Sequence, residues 1–420
     1  MYTQKDLYRL FEQCSGVCTD SRNVGADTLF FALHGASFDG NRFAADALDK
    51  GARYAVVDSD EPLLAHPEAA ERMVRVADTL EALQSLAREH RERLALPIIG
   101  IVGSNGKTTT KELVSRVLAE RFRVYATRGN LNNHIGVPLT LLAMTRATEF
   151  GVVEMGASAC GEIASLCSIA EPDYGIITNI GRSHLEGFGG VEGIRRGKGE
   201  LFDYLAKHGG LAFVPQEDAV LTAMAAEREG MVVESYSRHI ADGVESRLSG
   251  DYNYYNIAAA VVVGRYFDIA DERIRTAIGS YSPDNNRSQE MLSERGNRLI
   301  VDCYNANPSS MQAAIANLAS HAGDRKVLIL GDMLELGQWS AEEHRHVLEQ
   351  ALQIAGAELL LIGNDFAQAY ASLPHSSHEC HTFGTTAEAA EFLQRTPLQR
   401  ATVLLKGSHR WALENLITLL

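Results

Sequence analysis

The run Gly103-Ser104-Asn105-Gly106-Lys107-Thr108-Thr109 carries the densest chemistry in this chain. It follows the apolar stretch Ile98-Ile99-Gly100-Ile101-Val102, which reads as a buried strand, and a helix is expected to begin near Thr108. A strand delivered through such a turn into a helix aims backbone N–H groups and the positive end of the helix dipole at an anion. Lys107 would reach the outer phosphates of a polyphosphate, and the Thr108 hydroxyl would ligate their Mg²⁺. The usual phosphate-loop expression wants a glycine where Ile101 stands, so this is a shortened variant. A plain tight turn is the bland alternative; Lys-Thr directly after the second glycine favours ATP or a close relative.

Further polar residues cluster at expected strand ends and helix starts. Glu154 closes the strand running from Phe150 and is placed to hold Mg²⁺, although an isolated acidic strand end is usually only solvated. His184, in the polar run 178–186, is either a ligand for a second cation or an incidental loop histidine. Arg195-Arg196-Gly197-Lys198 reads as a basic patch or, more sharply, as the setting of a lysine held neutral near metal ions, where CO₂ converts it into an anionic carbamate ligand. Asn253 and Asn256 lie three apart at a helix start and would read an adenine edge, unless Asn256 merely belongs to the first turn. In the run Asn285-Asn286-Arg287-Ser288, Arg287 would cross a cleft to a phosphate. The loop Asp302-Cys303-Tyr304-Asn305-Ala306-Asn307 is too polar for packing and suggests ligand contact.

Positioning these groups takes several domains. At 420 residues, the chain has room for two or three of roughly 150 residues each. Expected units are 1–93, 94–284 and 285–420. Pro97 follows a charged helical stretch over 79–93, and strands alternate with helices in all three units. Expected strands lie at 28–33, 54–58, 98–102, 151–154, 174–178, 298–302, 326–331, 359–363 and 402–407. That alternation predicts an α/β fold: a small first domain, a central parallel-sheet domain with the phosphate loop, and a doubly wound third domain with ligands at the strands' C-terminal ends. The net charge of −15 argues against nucleic-acid partners. The six cysteines complete no metal cluster and read as reduced thiols. The first residues do not read as a secretory signal, and no apolar run approaches a membrane span. The expectation is a cytoplasmic protein without membrane insertion.

Together these motifs resemble the Mur ligase family, the ATP-dependent amide-bond formers of peptidoglycan precursor synthesis. The resemblance rests on residues 103–112, on Asp20-Ser21-Arg22, on Phe31-Ala32-Leu33-His34-Gly35 with Asp39-Gly40, on the run 127–138, on Tyr304-Asn305-Ala306-Asn307-Pro308 and on Gly331-Asp332-Met333-Leu334-Glu335-Leu336-Gly337. It implies a carbon–nitrogen ligase that adds D-alanyl-D-alanine to UDP-N-acetylmuramoyl-tripeptide through an acyl phosphate. A ligase for another amino acid, a folylpolyglutamate-like ligase and an inactive nucleotide-binding module are the alternatives.

By resemblance, Gly103, Ser104, Asn105, Gly106, Lys107, Thr108, Thr109, Asn253, Asn256, Arg287, Asp302 and Asn305 bind ATP. Thr108, Glu154, His184 and carbamylated Lys198 hold Mg²⁺ at two sites, and Lys107, Lys198, His184 and Glu154 form the catalytic set. Ser21, Arg22, His34, Gly35, Asp39, Asn130, Asn132 and Asn133 hold the UDP substrate. The third domain takes the amine and closes on ATP, and the protein works as a monomer. The chain departs from the family pattern in three places: at Tyr252, where His is frequent; at Pro215-Gln216-Glu217-Asp218; and at His409-Arg410, which follows Ser408.

Overall fold

The computed structural model describes residues 4–35, 37–283, 287, 289–323, 325–374 and 378–420. Three α/β units follow one another. The expected boundary at 284–285 lies outside the described residues, as do Asn285, Asn286 and Ser288.

The first unit is a four-stranded parallel sheet in the order Val17–Cys18, Leu29–Phe31, Tyr54–Val57, Met73–Arg75. A two-stranded antiparallel ribbon, His34–Gly35 with Phe38–Asp39, projects from it. The helix Thr79–Leu94 joins this unit to the next. Asp78 caps its start by accepting from the Glu81 N–H, and Ala95 ends it in the left-handed region. Its buried face, Leu83, Leu86 and Ala87, shares one apolar core with Val137, Leu141 and Leu166 of the second unit. Arg91 adds hydrogen bonds to the Ala170 and Glu171 carbonyls and pairs with Asp173.

The central sheet has six parallel strands in the order Val232–Tyr236, Leu211–Pro215, Tyr174–Ile177, Ile98–Val102, Phe150–Glu154, Val124–Ala126. Both faces are covered, so its inner strands are apolar throughout. The strand alternation still decides which side chain packs where. Ile99 and Ile101 meet the helices Lys107–Ala119 and Tyr252–Tyr266, whereas Ile98 and Val102 meet Glu162–Ala170 and Val191–His208. Tyr252–Tyr266 is sandwiched so fully that every residue from 256 to 264 is buried.

The third sheet runs Gln289–Leu292, Arg298–Val301, Thr402–Lys406, Lys326–Gly331, Glu358–Ile362, Cys380–Phe383. Its first strand is antiparallel and the rest are parallel. That edge strand was not expected: its residues Glu290, Met291 and Leu292 are exposed, so it lacks the apolar signature of the others. No helix among the described residues is long and apolar enough to cross a membrane.

Phe150 lies fully buried in an aromatic cluster with Phe122, Tyr174 and Phe267, at ring separations of 4.9 to 6.2 Å. Phe150→Ala is expected to destabilise the protein by about 3–5 kcal/mol through the cavity it leaves. Urea unfolding measures this, and an unshifted midpoint would refute the packing argument.

Candidate active site

The phosphate loop is held from one side by the segment that follows strand Tyr174–Ile177. The Ser104 N–H donates to the Asn179 carbonyl, and the Asn105 N–H donates to Asn179 Oδ1, each at 3.1 Å. Thr178 Oγ1 and Asn179 Nδ2 both donate to the Asn105 carbonyl, at 2.6 and 3.0 Å. Two glycines make this closeness possible. Gly103 (φ +147°) lies where a Cβ would collide with Thr178 Oγ1, and Gly106 (φ +79°) lies where one would sit 2.6 Å from Asn256 Oδ1. Gly106 hands the chain directly to the helix Lys107–Ala119, whose first-turn N–H groups have no intrahelical acceptor.

That loop opens on a cavity of about 1120 Å³ between the central and third units. Of the sequence-predicted residues, it is lined by Ser104, Asn105, Gly106, Lys107, Thr109, Glu154, His184, Asn253, Asn256, Arg287, Asp302 and Asn305 and by Asn130, Asn132 and Asn133. Gly103, Thr108 and Lys198 belong to the elements behind its wall. Ser21, Arg22, His34, Gly35 and Asp39 do not line it; they sit in the first unit. There Arg22 pairs with Asp20, and His34 bonds Asp58 at 2.7 Å and lies 3.4 Å from Asp39.

Burial pushes the Lys107 ammonium down to about 8, with Glu154 pulling it back up and Arg287 adding to the fall. Its Nζ folds back onto the Gly103 and Ser104 carbonyls at 2.7 and 3.2 Å. Lys198, 1% exposed, donates to the Ala157 carbonyl at 3.0 Å and lies 4.9 Å from the Phe188 ring centroid. Burial, reinforced by the nearby Lys107 charge, brings its amine down to about 7. Glu154, also 1% exposed, takes one hydrogen bond from Asn132 Nδ2 at 2.8 Å, while its Oε2 and the buried Thr108 Oγ1 have no partner. Two buried, partnerless oxygens beside a phosphate loop fit a hard cation that seeks oxygen ligands.

Several expected ligands are also engaged locally. Asn256 accepts from Thr110 Oγ1 and donates to Asn253 Oδ1, and Asn253 donates to the Ser249 carbonyl. The helix starts at Tyr252, so both asparagines lie in its first turns. Asn133 Oδ1 accepts the Ile135 and Gly136 N–H groups. The third unit contributes the buried pair Lys406–Asp302 at 2.6 Å and Arg287 stacked 3.9 Å over the Tyr304 ring, whose other neighbour is His409.

Sequence reasoning assigned none of the following residues to the joining of the units, although it gave Asn105 and His184 ligand-binding roles. Asn105 and Asn307 exchange amide hydrogen bonds of 3.3 and 2.7 Å across 202 positions of chain. Arg182 pairs with buried Glu343 at 2.5 Å, and its N–H donates to Ser309 Oγ. Glu335 meets His184, and its carbonyl accepts the Glu186 N–H at 3.2 Å. Only the polar character of the 302–310 loop signalled any of this.

Three family models match: Mur ligase family, catalytic domain over 13–91; Mur ligase middle domain over 101–243; and Mur ligase, glutamate ligase domain over 286–409. The chain is 37% identical over 349 residues to the UDP-N-acetylmuramoyl-tripeptide–D-alanyl-D-alanine ligase of Bacillus subtilis, covering 79% of this chain and 76% of that one. Its fold superposes on the crystal structure of MurF from Acinetobacter baumannii with a TM-score of 0.86 at 29% identity, covering 100% and 98% of the two chains. It also superposes on a MurF ligase from Thermotoga maritima in complex with ADP, with a TM-score of 0.81 at 25% identity and coverage of 98% and 97%. The chain belongs to the Mur ligase family.

Two outcomes test the site. The neutral amine is the form that attacks CO₂. A Lys198 whose ammonium deprotonates near 7 is therefore expected to gain a carbamate as pH rises through about 7, well below the range of an ordinary lysine. Labelled bicarbonate and carbon NMR report it; a signal that survives Lys198→Ala, or never forms, would refute it. Separately, Asn307→Ser keeps a hydroxyl to cap the helix Pro308–Ser320 but cannot reach Asn105. The thermal midpoint is expected to hold while KM for ATP rises several-fold, and an unchanged KM would show that the amide pair contributes nothing to nucleotide capture.

Proposed function

We propose that this chain joins the amine of D-alanyl-D-alanine to the terminal carboxylate of UDP-N-acetylmuramoyl-tripeptide, using ATP. The observation that carries this reading is the cavity in which a phosphate loop, Lys107 and the buried Glu154 carboxylate face the third unit's Arg287, Asn305 and Lys406, with the buried Lys198 behind its wall. The curated relatives named for this activity and the ADP complex of the Thermotoga maritima ligase support it.

A carboxylate resists attack by an amine because its leaving group would be oxide. Phosphoryl transfer from ATP gives an acyl phosphate, whose phosphate leaves readily when the amine attacks. The chain's part in the first step is to bring two anions together. Lys107, held near 8 by burial, becomes fully charged again once a polyphosphate sits on the loop, because an adjacent anion favours the ammonium. First-turn N–H groups of the helix Lys107–Ala119 and Arg287 add fixed positive ends aimed at the same place, and such pre-set dipoles stabilise developing charge with little reorganisation.

Thr108, Glu154, His184 and Lys198, the last as its carbamate, would hold Mg²⁺ at two sites, where bound metal neutralises phosphate charge. Asn132 keeps one Glu154 oxygen engaged and leaves the other free for this role. Asn253 and Asn256 flank the adenine. Ser21, Arg22, His34, Gly35 and Asp39 hold the uridine diphosphate on the first unit, with Asn130, Asn132 and Asn133 nearer the reacting end. On this reading the protein works as a monomer in the cytoplasm.

Phosphate release is expected only when ATP, the UDP-tripeptide and D-alanyl-D-alanine are all present, and Lys107→Met is expected to lower kcat by about a hundredfold or more. Release that ignores the dipeptide, or a Lys107→Met protein with full turnover, would overturn the assignment.

A further inference from the structure

The central unit's wall of the main cavity carries an acid that the chemistry above leaves unused. Beyond Glu154 the chain runs through Gly156, Ala157 and Ser158 to the helix Glu162–Ala170. Glu162, Ser165 and Leu166 stand three and four positions apart on that helix, and all three line the cavity. His134, just before the helix Gly136–Leu142, lines it too. The wall starts at the reacting end: the Ala157 carbonyl accepts from Lys198 Nζ at 3.0 Å. Glu162 lies near enough for its charge to pull the Lys198 amine back up against burial.

Only half of the Glu162 carboxylate is committed. Its Oε2 accepts the Ser158 and Ala159 N–H groups at 2.7 and 3.3 Å, whereas Oε1 meets only the Ser158 hydroxyl, at 3.4 Å. The positive end of the helix is already met by a second carboxylate, since Glu200 takes the Gly161 and Ala164 N–H groups at 2.6 and 2.9 Å. Among the described lining residues at 130–134 and 156–166 there is no lysine or arginine. Such a wall suits a cation, and a carboxylate–ammonium hydrogen bond is about twice as strong as a neutral one. Leu166 offers an apolar surface on which methylenes leading to that cation can lie.

The route of the substrate decides which group arrives here. The helix Thr79–Leu94, which joins the first unit to the centre, packs against both Gly136–Leu142 and Glu162–Ala170. Gln84 on it donates to the His134 carbonyl at 3.0 Å. A substrate held on the first unit and reacting beside Glu154 therefore runs past this wall. The side chain next to its reacting carboxylate is the part that meets it.

We propose that Glu162 is a specificity-determining residue: its free oxygen takes an ammonium at the end of the tripeptide's third side chain. This deepens the reading above and rests on it for the direction in which the peptide lies.

Turnover of UDP-tripeptides ending in lysine, diaminopimelate or norleucine tests this; norleucine keeps the methylenes of lysine and lacks the amine. The wild-type protein is expected to use the better amine-bearing peptide about tenfold more efficiently than the norleucyl one, by kcat/KM. Glu162→Gln keeps an oxygen for the Ser158 and Ala159 N–H groups, and there the ratio is expected to fall to about two or less. Glu162→Asp, which keeps the charge, is expected to retain part of it. A residue that only shaped the loop would depress both substrates alike and leave the ratio intact. Equal use of the norleucyl peptide by the wild type, or an unchanged ratio in Glu162→Gln, would overturn the proposal while the ligase reading stands. If no peptide is joined to the dipeptide, the ligase reading falls, and the same ratio taken from calorimetric Kd values of the three UDP-tripeptides decides the role of Glu162.

Discussion

Burial of two lysine amines is the constraint on which this cavity depends. Burial lowers both, the Lys107 charge lowers Lys198 further, and the carboxylates nearby, Glu154 for Lys107 and Glu162 and Glu200 for Lys198, restore only part of the loss. Leaving such groups unpaired below the surface is expensive, and a protein tolerates it where a ligand will supply the missing charge. Arg287 lines the same cavity stacked on the Tyr304 ring, whereas Lys406 is neutralised by Asp302. A chain with a net charge of −15 therefore concentrates positive charge at one place. Local placement, rather than overall charge, decides what binds there.

The same constraint explains the scaffold. A phosphate loop that must approach an anion with its backbone has no room for Cβ atoms at Gly103 and Gly106, and its remaining polar groups are tied down by Thr178 and Asn179. The third unit meets this loop through the amide pair Asn105–Asn307 and the nearby ion pair Arg182–Glu343. A neutral hydrogen bond contributes about 0.5–1.5 kcal/mol.

Much of this was legible in the sequence because it is local. The strand-turn-helix at 98–119, Glu154 at a strand end and most inner strands announce themselves within a few residues, although the buried inner strand Leu211–Pro215 was not expected. Edge strands do not announce themselves. Val232–Tyr236 and Gln289–Leu292 are half exposed, so neither shows the unbroken apolar run of an inner strand. Asn253 and Asn256, expected at a helix start, carry no local sign of burial, yet their amides bond each other and Thr110 inside the core. The pairs Asn105–Asn307, Arg182–Glu343 and His184–Glu335 each join residues more than 150 positions apart. No spacing rule reaches that far.

His184 (φ +52°) and Glu335 (φ +60°), both on the cavity wall, show why such contacts resist sequence reading. Glycine is the residue that adopts positive φ without strain, so a reader scanning for turns passes over a histidine and a glutamate. Here the ring at 184 and the carboxylate at 335 meet each other. The backbone accepts strain that glycine would remove, and packing from Gly337, Trp339 and Phe188 must hold it in place. A non-glycine residue at positive φ persists only where its surroundings over-determine it, and those surroundings come here from two units of the chain.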